Sequence, residues 1–199
     1  MLAVVAPACR GAHRPDRQRR RFLLVLAGLV SCGAAPRATA GNLLPWSGEG
    51  PPPLVLDRLD GPAIDLAEFR GRPVIVHFFA TWCAPCIEEI ASLDALAARL
   101  GAGVTILVVD VGEVDARVRN FFRQRPVRFP ILLDRDRAAM KRWRVDGLPT
   151  SFLLDHDLRP VSLAAEPLDW TSPPMQAALE ALSGTSPVDT SANRGRSTP

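Results

Sequence analysis

Two cysteines three positions apart, Cys83 and Cys86, lie in "FFATWCAPCIEEI" (78–90), where an apolar run ends and a helical pattern begins. Three chemistries fit such a pair: half a zinc site, a buried structural cross-link, or a dithiol that cycles between thiol and disulfide. Zinc needs about four ligands. The histidines beyond the N-terminal region, His77 and His156, stand six residues before Cys83 and seventy after Cys86, which is no finger-like spacing. A ring closed over two intervening residues gains little loop entropy, so it makes a poor structural staple. A reversible redox pair explains the spacing better. At a strand-to-helix junction, backbone N–H groups and the helix dipole point at Cys83 and favour its thiolate. Pro85 suits the first helical turn, where its missing N–H costs nothing.

The elements that must hold this pair follow from periodicity. "PVIVHFFA" (73–80) reads as a central strand covered on both faces. After Cys86, apolar residues recur at Ile90, Leu93, Ala97 and Leu100, a helical stripe closed by Gly101. "VTILVVDV" (104–111) is a second buried strand, "EVDARVRNFFRQR" an amphipathic helix ending before Pro126, and "FPILLD" (129–134) a strand or strand entry. "RDRAAMKRWRV" is a helix with Ala139, Met140 and Trp143 inward, and "TSFLLD" and "PVSLAA" are two late strands joined by a turn. Upstream, "PLVL" and "AIDL" flank Asp60-Gly61 as a short hairpin, and "MQAALEAL" is a terminal helix. The order predicts an α/β domain with a mixed central sheet and helices on both faces, over 53–183. Gly/Pro-rich "GNLLPWSGEGPPP" reads as an extended, loosely ordered linker over 41–52, and 184–199 as a disordered tail.

The chain's basicity is local. Seven of its 24 basic and one of its 21 acidic residues lie in 1–40, leaving 17 and 20 beyond, so no nucleic-acid partner is expected. Residues 1–40 read as an export signal: "RQRRR" is a basic n-region, and Phe22 to Val30 is an apolar stretch too short to span a bilayer. "RRRFL" resembles a twin-arginine signal. "LVSC" (29–32) resembles a lipobox that would lipidate Cys32 and anchor the protein to the membrane, while "ATA" before Gly41 offers ordinary cleavage. Either outcome leaves Cys83 and Cys86 as the thiols of an envelope or periplasmic protein, where disulfides are normal.

"FFATWCAPC", with Glu89 three residues after the second cysteine, resembles the TlpA/ResA-like thiol–disulfide oxidoreductases of the thioredoxin superfamily. A second, independent segment, "FPILLDRDRAAMKRWRVDGLPTSFLLD", is similar to that family's FP-x-L-x-D strand, helix and x-P-T-x-F strand entry. The resemblance covers about 54–165. It implies a thioredoxin-like fold with an N-terminal hairpin extension and an enzyme that reduces protein disulfides. Electrons would come from a membrane donor, with no cofactor and no metal. It implies Cys83 as the exposed attacking cysteine, Cys86 as the resolving one and Pro149 as a cis-proline facing them. Leu148 would offer its backbone to a substrate chain, Trp82 would shape the rim, and Glu89 would carry protons to and from Cys86 or else lie solvated like Glu88.

His77 departs from that pattern: the family usually carries Asn there, and thioredoxins Asp. It would exchange protons with Cys86, or it is a satisfied core histidine; alternation leaves open which sheet face it takes. Ala91 stands near a usual helix-kinking proline, and "AAEPLDWTSPP" lacks a common glycine. Related proteins define the alternatives. Peroxidases of this fold need Thr-x-x-Cys, whereas Thr81 precedes Cys83 by two. Copper carriers need CxxxC with a distal histidine. Dedicated cytochrome c maturation thioredoxins tend to carry a glycine- and acid-rich loop around the cis-proline, which "DGLPT" resembles only weakly. Intact-mass analysis of the exported protein decides the leader's fate: a lipidated product starting at Cys32 supports the anchor, an unlipidated one starting at Gly41 removes it, and a product retaining Arg19 contradicts export.

Overall fold

A computed structural model of the chain describes residues 43–183. The export signal, the lipobox with Cys32 and the tail from 184 lie outside the described residues. The apolar run at 73–80 does what its composition requires: its strand is buried at all six positions, Val74–Phe79.

In chain order the strands and α-helices are β1 (Leu44–Pro45), β2 (Val55–Arg58), β3 (Ile64–Asp65), β4 (Val74–Phe79), α1 (Ala84–Leu100), β5 (Thr105–Val111), α2 (Asp115–Gln124), β6 (Ile131–Asp134), α3 (Ala138–Arg142), β7 (Thr150–Leu154), β8 (Pro160–Ala164) and α4 (Pro173–Ser183). The strands form one mixed sheet in the order β1-β8-β7-β4-β5-β6-β2-β3, with β4 central, parallel to β5 and antiparallel to β7. Pleating sends alternate side chains of β4 to opposite faces. Ile75 and Phe79 join α1, α2 and α4 through Ile90, Leu93, Val118, Phe122 and Leu179. Val74, Val76 and Phe78 join Ala139 of α3, Trp143 and the hairpin residues Leu54 and Ile64. Helices therefore cover both faces, as the element order predicts. Each such side chain, fully buried, contributes roughly 1.5–3 kcal/mol.

Local differences from expectation have packing causes. The segment 41–52 is not wholly a loose linker: Leu44 and Pro45 pair with Leu163 and Ser162, and the Trp46 ring meets Phe152 edge-on at 5.8 Å. Without β1, β8 would present unpaired backbone groups along a sheet edge. The expected hairpin exists but is shared: Val55 pairs with Asp65 of β3, whereas Asp57 and Arg58 pair with Leu133 and Leu132 of β6. On α1 the inward stripe ends at buried Leu96 and half-buried Ala97, and Leu100 is exposed. The helix runs without a break over Ala84–Leu100 and stops at Gly101, whose φ of 51° suits a residue without Cβ.

Buried Asp134, the acid of "FPILLD", caps α3. Its two carboxylate oxygens accept from the Ala139 and Met140 N–H groups at 2.9 and 2.7 Å. Asp134→Ala strands both donors and should lower the unfolding free energy by about 2 kcal/mol, measured by urea titration of the disulfide form.

Candidate active site

β4 ends at Phe79, and the chain turns through Ala80–Trp82 into α1, with the Cys83 N–H bonded to the Ala80 carbonyl at 3.1 Å. Cys83 is the N-cap of α1 and Pro85 lies in its first turn, so the unpaired N–H groups and the positive end of the dipole surround the Cys83 sulfur. Cys83 and Cys86 are joined in a disulfide with Cα atoms 5.3 Å apart. The sequence expectation of an exposed Cys83 is corrected: it is 5% exposed and Cys86 not at all. The ring closes onto an inward-facing Cys86, and both cysteines belong to the core beneath α1. Trp82, 63% exposed, stands at the rim. The Leu148–Pro149 peptide is cis, and Leu148 packs against the cluster containing both cysteines.

One helical turn past Cys86, Glu89 is buried while Glu88 is exposed, so the two acids have opposite environments. Glu89 Oε1 accepts the Ser151 hydroxyl at 2.8 Å and the Trp170 indole N–H at 2.8 Å, and lies 3.4 Å from His77 Nδ1. His77 Nδ1 is also 2.9 Å from Ser151 Oγ. His77 therefore takes the α1 face of the sheet, and its bonds go to Ser151 and Glu89 rather than to a sulfur. Glu89 Oε2 and His77 Nε2 have no partner among the described residues. Burial pushes the Glu89 carboxyl up. Hydrogen bonding and charge from His77, with the Trp170 and Ser151 donors, outweigh this and hold it below its ordinary 4.5.

A second acidic pair supports the loop before Cys83. Buried Glu113 accepts the Thr81 N–H at 2.5 Å and the Thr81 hydroxyl at 2.8 Å, and meets Arg117 at 3.4 Å. Asp110, which pairs with Phe79 across β4 and β5, is buried with Oδ2 unpartnered. Burial first, then hydrogen bonding and negative charge from Glu113, push the Asp110 carboxyl up to about 8. The proton belongs to the pair, since two adjacent buried carboxylates cannot both ionise cheaply.

Ser151, Trp170, Asp110 and Glu113 were not among the candidates read from sequence. Ser151 carried a faint signal, two positions past Pro149 in a strand. Its pairing opposite His77 is a matter of register between chain segments 74 residues apart. Trp170 lies in the segment "AAEPLDWTSPP", which carries no motif of its own.

Comparison with known proteins shows the family of the chain. The AhpC/TSA family model matches residues 48–159. The thiol-disulfide oxidoreductase ResA of Bacillus thuringiensis subsp. konkukian (strain 97-27) is 37% identical over 147 residues, 71% of this chain and 85% of the relative. ResA of Bacillus subtilis (strain 168) is 33% identical over 138 residues, 69% and 77% of the two chains. Among solved structures, a thiol:disulfide interchange protein DsbE from Chlorobium tepidum, described as putative, superposes with TM-score 0.59 at 24% identity, over 71% of this chain and 96% of that one. The chain belongs to the AhpC/TSA family, among its ResA-like thiol–disulfide oxidoreductases, and has the thioredoxin-like fold.

The two acids give opposite pH dependences. Glu89, with its folded pKa lowered, adds stability above its ordinary 4.5 that is lost as pH falls through the folded value. Asp110, raised from 3.8 to about 8, binds its proton more tightly when folded, so its contribution declines as pH rises between those values and levels off above the higher one. Asp110→Asn removes that titration. The fall in Tm of the parent between about pH 6 and 8 should be visibly flatter in the variant, read by calorimetry across buffers.

Proposed function

We propose that this protein is an envelope reductant of protein disulfides that works through a mixed disulfide with Cys83. The observation that carries the reading is the Cys83–Cys86 disulfide at the N-terminus of α1, with buried Glu89 one turn below it. Cys83, the less buried of the two and the N-cap of α1, is the attacking thiolate. Cys86, wholly buried, resolves the mixed disulfide and returns both sulfurs to a ring. Glu89 takes the Cys86 proton as that thiol attacks and gives it back when the disulfide is reduced. Trp82 and Leu148 form the apolar rim for a substrate chain, beside Pro149.

The reducing direction and the membrane electron donor rest on the ResA-like membership. Those relatives are named thiol-disulfide oxidoreductases, and electrons for repeated reduction must be resupplied by another dithiol. The envelope location rests on the basic and apolar grammar of 1–40, with Cys32 as lipid anchor if it is the mature N-terminus. A peroxidase reading, open to an AhpC/TSA member, needs a threonine hydroxyl free beside the attacking cysteine. Thr81 is instead bonded through both its N–H and its hydroxyl to Glu113.

Cys86→Ser should accumulate mixed disulfides with disulfide substrates, because attack by Cys83 proceeds and resolution cannot. Cys83→Ser should abolish insulin reduction while leaving the fold intact by circular dichroism. Faster alkylation of Cys86 than of Cys83 at mildly acidic pH would reverse the two roles, and failure of the parent to reduce insulin or form any mixed disulfide would overturn the reading.

A further inference from the structure

We propose that Val114, in the loop that enters α2, is a specificity-determining contact of the dithiol site, and that it selects protein disulfides whose cysteine is flanked by a bulky apolar side chain. This deepens the proposed disulfide reduction and rests on it.

β4 and β5 are parallel neighbours, so the loops that follow them leave the sheet at the same end. The first, 80–82, leads to Cys83; the second, 112–114, leads to α2. The second loop is closely fitted. Gly112 has a φ of 73°, an added Cβ there would run into the Arg137 side chain, and its N–H is held by the Asp134 carbonyl at 3.0 Å. The two loops are joined by the bonds that Glu113 accepts from the Thr81 N–H and hydroxyl. Trp82 and Val114 each follow one member of that bonded pair, and a chain step is about 3.8 Å. Both therefore stand on one stretch of surface beside Cys83.

Val114 is 71% exposed and Trp82 63%, more than any other large apolar side chain among the described residues. Val114 is also the N-cap of α2, where its side chain makes no capping bond. Valine ranks among the poorest residues at that position, because it offers no oxygen to the free N–H groups of the first turn. Neither burial nor capping accounts for a valine here. What the side chain does supply is apolar area next to the attacking cysteine, continuous with the rim of Trp82 and Leu148. An extended substrate chain that brings its sulfur to Cys83 carries the neighbouring side chain over this surface. A leucine or phenylalanine there takes Val114 and Trp82 out of water together, whereas a serine leaves both wet.

The test uses the reduced full chain and two peptide disulfides that differ only beside the cysteines, with leucine in one and serine in the other. The second-order rate constant for their reduction is read by chromatography of the released thiols. The parent should reduce the leucine peptide about fivefold faster or more. Val114→Ser should lose most of that preference, and Val114→Ile should keep it. Val55→Ser, at an apolar side chain 56% exposed on β2, should leave the preference at the parental ratio. Stability should move the other way: serine supplies the missing capping oxygen, so Val114→Ser should raise Tm while it weakens selection. Equal rates on the two peptides with the parent, or an undiminished preference in Val114→Ser, overturn the inference and leave the dithiol chemistry standing. A parent that reduces neither peptide overturns the proposed function, and the inference falls with it.

Discussion

A carboxylate in a protein core must be compensated, and the placement of Glu89 one turn beneath the disulfide imposes that demand on the site. Its compensation comes from three separate pieces of chain: His77 on β4, Ser151 on β7 and Trp170 in the segment before α4. Each partner is itself buried. The central strand, the strand after the cis-proline and the last loop are thereby tied to the helix that carries both cysteines. Burial and the polar partners push the Glu89 proton in opposite directions, and the partners prevail.

The loop between β4 and α1 is held from the other side by a different device. Glu113 grips Thr81 through backbone and side chain, and burial together with Glu113 pushes the neighbouring Asp110 carboxyl up to about 8, so the two acids share a proton. The short stretch that aims Trp82 and Cys83 is therefore fixed by polar bonds at one end and by the first turn of α1 at the other. Apolar packing fixes the rest: β4 is buried on both faces, so its side chains have little freedom to reorient.

The peripheral elements serve the same end indirectly. β1 completes the edge beyond β8, and the hairpin of β2 and β3 closes the far edge beyond β6, so the β7–β4–β5 centre is shielded on both flanks. The Arg135 guanidinium joins Asp57 of β2 and Asp115 of α2 across that far edge. It lies at the surface, where such pairs add little stability but define where β2 lies.

Much of this was legible in the residues alone. Strand and helix order followed from periods of two and 3.6, which are properties of contiguous sequence. The redox pair followed from its spacing at a strand–helix junction, and the cis-proline segment from a motif read within a few residues. Azimuth and register were not legible. Glu88 and Glu89 are adjacent and chemically alike, and packing alone decides which is buried. Alternation put His77 on a face but could not say which, because that depends on the side α1 crosses. Ser151 meets it only through the β4–β7 register, and Trp170 reaches Glu89 from 81 residues away. The linker strand and the Asp110–Glu113 pair depend likewise on neighbours distant in the chain. Local pattern, set by covalent neighbours, determined the elements and the reactive pair. The polar surroundings beneath the pair are made of long-range contacts, which exist only once the sheet has been assembled.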